Sequence, residues 1–431
     1  MKFKHMLSVA IVLLIFIMVY YYMDNCYNVF HEYIYLDNNG TTEMPRKVIN
    51  AYTKNANIGN CSAIYANKAK QVLQEAKATL NKWLMADCQI IFNSGASEGN
   101  NQVLKTYGTK GSHIIISSIE HKTSIECAKE LRRNGVEVSF INPNIYGIIT
   151  ADKVQNAIKP NTSLISIMAA NNETGNINPI YRIADIARKN NVIFHSDAVQ
   201  YIGKYPINMH DGPHIITGSF HKIHGPPGCG FIAYRNAILS PMIHGSQMDG
   251  LRGGTENMPS IAAATEAMKY TWKNRSKKNR AMKYKRGYIM HKLVKEFPVI
   301  GIENMLGKSD NYIPPYDIID NTKSNIAMIP LSSNVLPNTL ALSFVKIDKP
   351  YTKYNKVCNI KLRENLLKHK VVIGIGSACN TSSNKPNHVL SSMGLPHVVR
   401  AGTVRISLSD ETTMCEVIAG IDRLIEELKN F

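Results

Sequence analysis

A chain of 431 residues is longer than one hydrophobic core ordinarily serves, so two domains are expected. Its apolar share of 44% is that of a globular protein and excludes a disordered or fibrous chain. Lys and Arg number 50 against 32 Asp and Glu, and the resulting +18 attracts anions such as phosphorylated cofactors, acidic partners or nucleic acid. The eight cysteines are scattered, with no CxxC pair and no metal-ligand spacing, so neither a disulfide framework nor a metal site is expected and reduced thiols are the default.

Residues Leu7 to Met23 are almost all apolar and follow Lys2 and Lys4. As a helix they reach ~26 Å, marginal for a ~30 Å hydrocarbon core. Tyr20, Tyr21 and Tyr22 suit a membrane interface. The expectation is a single transmembrane anchor through residues 7–23, within a leading segment 1–30, on an otherwise cytoplasmic protein. A cleaved targeting segment and a buried core helix are the alternatives, and no clear small-x-small cleavage site follows.

Tyr33–Leu36 reads as a short strand ending in the polar loop Asp37-Asn38-Asn39-Gly40-Thr41-Thr42. A pattern then repeats, in which apolar runs stop at small or polar residues. Ile90–Phe92 stops at Asn93-Ser94-Gly95, and His113–Ile116 at Ser117-Ser118. Val136–Ile141 is followed by Asn142-Pro143, Leu164–Met168 by Asn171-Asn172-Glu173, and Asn191–Phe194 by His195. Ile215–Thr217 leads to Lys222, with Gly230–Tyr234 beyond it. Helical stretches such as Thr123–Arg133 and Ile180–Lys189 separate most of these runs. Short apolar strands alternating with helices predict a mostly parallel α/β sheet, with ligands held beyond the carboxyl ends of its strands.

From about Ser260 a long helical stretch carries eight basic residues between Lys273 and Arg286. These read either as a solvated helix face or as a surface for an acidic partner or nucleic acid. No aromatic platform or finger motif supports direct nucleic-acid binding, which is not expected. Residues 301–336, rich in Pro, Asn and Ser, read as an irregular insertion. Leu340–Val345 and Val371–Ile373 read as strands. The C-terminus reads as a helix that opens on a capping box, Thr413 to Glu416, and buries Val417, Ile418, Ile421, Leu424, Ile425 and Leu428.

Two residues carry the sharpest chemistry. Lys222 sits between apolar segments with Gly and Pro beyond it, and lysine is rarely buried unless paired or used covalently. Asp197 ends an apolar run, where a carboxylate needs a partner. An amine that links to an aldehyde and a carboxylate that keeps a pyridine nitrogen protonated are what pyridoxal 5'-phosphate (PLP) requires. A solvated lysine and a helix-capping aspartate are the alternatives at these positions.

Weaker signals lie around them. Ser94-Gly95-Ala96-Ser97-Glu98 joins a strand to a helix and reads as an anion cradle or an ordinary cap. His121 can stack on a ring and shuttle protons, or be a surface or core histidine. Asn172 and Gln200 are candidate partners of a ring hydroxyl or plain loop amides. Cys379, in Gly376-Ser377-Ala378-Cys379-Asn380-Thr381, has little bulk around it and reads as a thiol on a mobile loop or as a structural cysteine. Arg405 alternates with apolar residues on a strand and suits either a substrate carboxylate or an internal ion pair.

In this order the segments Tyr-Leu-Asp-Asn, Ser-Gly-Ala-Ser-Glu, Glu-His-Lys, Asn-Asn-Glu-x-Gly, Asp-Ala-x-Gln, Ser-x-His-Lys, Arg-x-Gly-Thr and Gly-Ser-Ala-Cys resemble the cysteine desulfurases. These are NifS-like PLP enzymes of the class V aminotransferase group with the type I fold. The likeness runs from Tyr35 to the C-terminal helix. It implies a large PLP-binding domain with a mostly parallel seven-stranded sheet over 46–275. A smaller α+β domain would comprise 276–431 with residues 31–45. The activity it implies is removal of sulfur from L-cysteine to give L-alanine and a persulfide on Cys379, destined for a sulfur-acceptor protein in iron–sulfur cluster assembly or tRNA thiolation. A selenocysteine lyase or another class V aminotransferase or lyase is the alternative.

By the same resemblance, Lys222 holds PLP and moves protons, Asp197 pairs the ring nitrogen, and Gln200 and Asn172 meet the ring oxygen. His121 stacks on the ring. Ala96, Ser97, Ser219 and His221 hold the phosphate, with Thr255 supplied by the second subunit of a homodimer. Arg405 and Asn39 face the substrate, and Cys379 takes its sulfur. Departures from the family pattern are Phe220 in place of Gly or Ala, Ser97 in place of Thr, Asn39-Gly40-Thr41 where Ala-Thr is common, and an eroded loop at 245–252.

Overall fold

A computed structural model describes residues 32–305 apart from Ser62 and Tyr65, then 324–331, 334–347, 354–376 and 387–431. The strands in chain order are β1 (Ile34–Leu36), β2 (Gln89–Asn93), β3 (His113–Ser117), β4 (Glu137–Ile141), β5 (Thr162–Ser166), β6 (Ile193–Asp197), β7 (Ile215–Ser219) and β8 (Gly230–Tyr234). They continue with β9 (Ile326–Pro330), β10 (Thr339–Ile347), β11 (Tyr354–Lys356), β12 (Val371–Ile373) and β13 (Thr403–Ser407).

Seven strands form one sheet in the order β2-β8-β7-β6-β5-β3-β4. The pairs β3/β4, β3/β5, β5/β6 and β6/β7 are parallel, and β8 alone runs antiparallel to its neighbours β2 and β7. Side chains of β3, β7 and β8 are buried on both faces, which explains their unbroken apolar runs. The parallel order brings the carboxyl ends of β3, β5, β6 and β7 to one edge, where the expected ligand residues follow each strand. A second, antiparallel sheet has the order β11-β10-β13, with β9 also on β10. β1 pairs in parallel with β12 and is carried on to β13 by a bridge from Asp37 to Ser407.

Two buried apolar clusters organise the chain. One packs around the seven-stranded sheet. In the other, the helix Met414–Lys429 lays Val417, Ile421, Leu424, Ile425 and Leu428 against Leu36, Val371, Ile373, Ile289 and Leu293. The capping box is present, with Thr413 Oγ1 accepting from Glu416 N at 3.2 Å and Glu416 Oε2 from Thr413 N at 2.6 Å. Ile418, expected inside, is 37% exposed, because the apolar stripe is narrower than the run of apolar letters.

The structure revises three expectations. Ile326–Pro330, inside the stretch read as an irregular insertion, is β9, whose apolar residues pair with β10. The basic stretch is two helices, Met258–Trp272 and Arg275–Glu296, parted where Asn274 takes a φ of 59°. Half of its basic cluster is engaged internally. Lys285 donates to Thr412 O, Arg286 Nη1 to Leu336 O at 2.5 Å, Lys278 pairs with Asp410 at 2.6 Å, and Arg275 lies 4.0 Å from the Trp272 ring centroid. The third revision concerns the membrane. Among the described residues no helix is long and apolar enough to cross one. The longest, Arg275–Glu296, carries nine Lys and Arg where a span needs ~20 largely apolar residues. The expected span, 7–23, lies outside the described residues. The transmembrane helix and the membrane-associated location are therefore withdrawn.

Phe220, the bulky departure beside the lysine, is fully buried and turned into the core. Its ring lies 5.4 Å from Phe231 and 6.3 Å from Phe92. Gly225 leaves the space it needs, since a Cβ there would come within 2.6 Å of the Phe220 Cβ. Phe220→Ala is expected to cost about 3–5 kcal/mol in urea denaturation, the range for emptying a buried aromatic site. A loss below about 1 kcal/mol would mean that the ring is not packed as described.

Candidate active site

A cleft of about 380 Å³ opens at the carboxyl edge of the seven-stranded sheet. Asn39, Ala96, Ser97, His121, Asn172, Asp197, Gln200, Ser219, His221, Lys222 and Arg405 all line it. These expected site residues thus meet although they span more than 360 positions of sequence. Thr255 is exposed and stands outside the lining, and Cys379 lies outside the described residues. The described chain on either side of Cys379 ends at Gly376 and resumes at Asn387.

Lys222 ends a short 3-10 turn directly after β7. Its Nζ donates to Asn39 O at 2.7 Å and to Gly40 O, so only neutral carbonyls hold it. Burial first, and then the nearby Arg405 charge, bring its pKa down to about 8. A larger share of the amine than in an exposed lysine is therefore unprotonated near neutrality, the form that attacks a carbonyl carbon.

Asp197 ends β6, where its Oδ1 accepts from Val199 N at 3.0 Å and its Oδ2 from Asn100 Nδ2 at 2.7 Å. Gln200 donates from Nε2 to Asn39 O at 3.1 Å, and its buried Oε1 has no partner. His121 caps the helix Lys122–Arg133, its Nδ1 accepting from Thr123 N at 3.4 Å and lying 2.8 Å from Thr123 Oγ1. Burial lowers its pKa, so the ring is neutral. Since Nδ1 accepts, the proton belongs on Nε2.

Arg405, on β13, is buried and held by Asp37 Oδ1 at 2.7 Å, Asn172 O at 2.8 Å and Glu173 Oε2 at 3.6 Å. Burial opposes its charge, and Asp37 and Glu173 together outweigh that. Its Nε is buried without a partner. The Asn39 side chain is taken up by Asn172 O, Thr339 and Asn338, and it is the Asn39 carbonyl that faces Lys222. His221 is pushed down to about 4 by burial and the adjacent Lys222 charge, and its Nδ1 lies 3.3 Å from Thr41 Oγ1.

At the far end of the cleft, Gly95 takes a φ of 147° and opens the helix Ala96–Tyr107. A Cβ on Gly230 would come within 2.5 Å of the Gly95 Cα, so backbone packs on backbone there. The helix N-terminus and the hydroxyls of Ser94 and Ser97 suit an anion. The eroded loop is fastened nearby, with Arg252 donating from Nε to Glu98 Oε1 at 2.9 Å and from Nη2 to Glu98 Oε2 at 3.3 Å.

Asp37 and Glu173 stand in the sequence only as motif letters, and their hold on Arg405 shows only in the fold. Asn100, one turn into the Ala96–Tyr107 helix, and Glu120, next to His121, carry no comparable sequence signal on their own. Asn100 lies three positions beyond Ser97, the helical spacing that brings both to one face. Glu120 is fully buried. Its Oε1 accepts from Met168 N at 2.8 Å and from Ser117 Oγ, while Oε2 has no partner.

The model of the class-V aminotransferase family matches residues 34–308. The cysteine desulfurase IscS of Methanosarcina thermophila is 31% identical over 416 residues, 92% of this chain and 93% of that one. A solved NifS-like protein superposes with a TM-score of 0.77 at 28% identity, covering 93% of this chain and all of that one. A structure described as SspA in complex with cysteine gives 0.68 at 28% identity, covering 88% of this chain and 99% of that one.

Burial raises Glu120 from an ordinary 4.5 to about 8. Between these values the folded state holds a proton that the unfolded state has lost, so stability falls as pH rises. Glu120→Gln is expected to flatten that fall and to raise the melting temperature above pH 7. Parallel pH–melting curves for the two proteins would contradict the assignment.

Proposed function

This chain belongs to the class-V aminotransferase family, in its cysteine desulfurase branch, and on that premise we propose how its residues divide the reaction. The activity is removal of sulfur from L-cysteine, leaving L-alanine. One observation carries the assignment of roles: a lysine amine of lowered basicity, an aspartate and a doubly paired arginine line one cleft at the end of a parallel sheet.

The residues fit pyridoxal 5'-phosphate. The Gly95 turn and helix N-terminus suit a phosphate, and Asp197 suits a protonated ring nitrogen. The orphaned Gln200 Oε1 offers an acceptor for a ring hydroxyl, with Asn172 beside it. When bound, PLP supplies an aldehyde for the lysine and a ring that draws electrons from the substrate carbon. Lys222 then holds the cofactor and carries protons to and from the substrate. His121, which lines the same cleft, would stack on the ring and exchange the proton it carries on Nε2. Ala96, Ser97, Ser219 and His221 hold the phosphate, with Thr255 reaching in from a second copy of the chain.

Arg405, a fixed cation in the lining of the cleft, receives the substrate carboxylate. In the sulfur-transfer step the Cys379 thiolate attacks the substrate sulfur. A sulfur–sulfur bond forms, the carbon–sulfur bond breaks, and its electron pair passes to carbon, which takes up a proton as alanine forms. Cys379 is left as the persulfide and passes its outer sulfur to an acceptor protein. We assign 46–275 to the cofactor-binding domain, and 31–45 with 276–431 to the domain that carries Arg405 and Cys379. Support for the latter grouping comes from the pairing of β1 with β12.

Borohydride reduction of the loaded full-length protein is expected to fix cofactor mass on the peptide containing Lys222. Lys222→Ala should abolish that label and lower turnover by at least ~10³-fold. Cys379→Ser should leave the label intact and stop sulfide release. Sulfide release that is indifferent to Cys379 would instead mark a lyase that needs no thiol. Arg405→Lys is expected to raise KM for L-cysteine about 10–100-fold with a smaller effect on kcat, because lysine cannot replace a planar bidentate donor.

A further inference from the structure

We propose that Asn100 is a positioning residue for the Asp197 carboxylate, held in place by a one-way hydrogen-bond chain running Ser166, His195, Thr217, Asn100. The proposal rests on the reading above in which Asp197 pairs the ring nitrogen of PLP.

The five residues come from four elements. Ser166, His195 with Asp197, and Thr217 lie on the neighbouring strands β5, β6 and β7, and Asn100 lies on the helix Ala96–Tyr107 above them. Asp197 and Thr217 stand opposite each other in the β6/β7 register. Helix and strand approach closely, since a Cβ on Gly99 would lie 3.0 Å from Thr217 Cγ2. All five residues are at most 5% exposed, so solvent cannot substitute for a missing partner.

The direction of every bond follows from the donor inventory. Asn100 Oδ1 can only accept, so Thr217 donates its single hydroxyl proton to it, at 2.5 Å. Thr217 Oγ1 must then accept from His195 Nε2, at 3.1 Å. Burial pushes His195 down to about 3, so the ring carries one proton, and the bond to Thr217 requires it on Nε2. Nδ1 is left to accept from Ser166 Oγ, at 2.9 Å. With its oxygen committed to Thr217, the Asn100 amide turns its NH₂ to Asp197 Oδ2, at 2.7 Å. A flipped amide would set oxygen against carboxylate and lose the bond to Asp197. Each donor thus fixes the next, and the chain ends on the one carboxylate in the lining of the cleft. Aligned chains of this kind strengthen one another in a dry interior.

A role in plain stability would not depend on Asp197, and the test uses that difference. Full-length wild type, Asn100→Ala, Asp197→Ala, the double variant, Thr217→Val and Thr217→Ser are compared. The readouts are PLP dissociation constant, the pH dependence of the bound-cofactor absorbance, and the melting temperature of the cofactor-free protein. Asn100→Ala is expected to weaken PLP binding about 10–100-fold, the worth of one hydrogen bond to a charged group. It should also shift the spectral titration, and it should add nothing in the Asp197→Ala background. Thr217→Val should reproduce part of the loss and Thr217→Ser should restore it. Multiplying effects of Asn100→Ala and Asp197→Ala would overturn the proposal, as would Thr217→Ser matching Thr217→Val. So would a binding loss matched in Asn100→Ala by collapse of the cofactor-free melting temperature and absent from Thr217→Val. Failure of wild type to bind PLP, or binding indifferent to Asp197→Ala, would overturn the cofactor reading itself, and this proposal with it.

Discussion

The structure depends on compensating three charged side chains that line one cleft. Asp197 ends β6, Lys222 ends the turn after β7 and Arg405 lies within β13, and an uncompensated buried charge at any of these places costs several kcal/mol. Each is dealt with differently. Arg405 receives two carboxylates and stays charged. Asp197 receives two N–H donors. Lys222 receives only carbonyls, and its basicity drops. That difference leaves the lysine less basic and the arginine a fixed cation.

The same constraint explains how the parts of the chain are joined. Asp37 comes from the N-terminal strand, Glu173 from the loop after β5 and Arg405 from β13, so pairing one guanidinium ties three distant segments together. A second tie lies behind Lys222. His224 Nε2 and Lys278 Nζ meet Asp410 at 2.7 and 2.6 Å, and they hold the Asp410 carboxyl well below the usual carboxylate range. The lysine loop is thereby fastened to the C-terminal part of the chain. Removing either tie would leave buried charge unpaired, which is costlier than the pair is stabilising.

Packing around the lysine tolerates an unusual residue for a local reason. Phe220 joins an aromatic stack with Phe92 and Phe231 because glycines at 218 and 225 leave room on either side. Its bulk enters the core and does not reach the cleft, so a change two positions before Lys222 alters the support of the site and leaves its lining as it was.

Much of the cleft was legible from the chain alone, because strand ends in a parallel sheet face one way. A polar residue that stops an apolar run at such an end is a ligand candidate by position, and Asp197, His121, Asn172 and Lys222 were all found on that basis. The capping box at Thr413 was legible for a similar reason, since both partners lie within one turn. What stayed hidden were pairings across long sequence distances. The hold of Asp37 and Glu173 on Arg405, the engagement of half the basic cluster with its own fold, and the support of Asp197 by Asn100 all depend on which elements become neighbours. A run of letters specifies the local periodicity of a helix or strand, and so it determined the sheet and the order of its ligand loops. Only the packed structure decided which polar atoms were left with partners, because that is settled by distances between segments that the sequence keeps far apart.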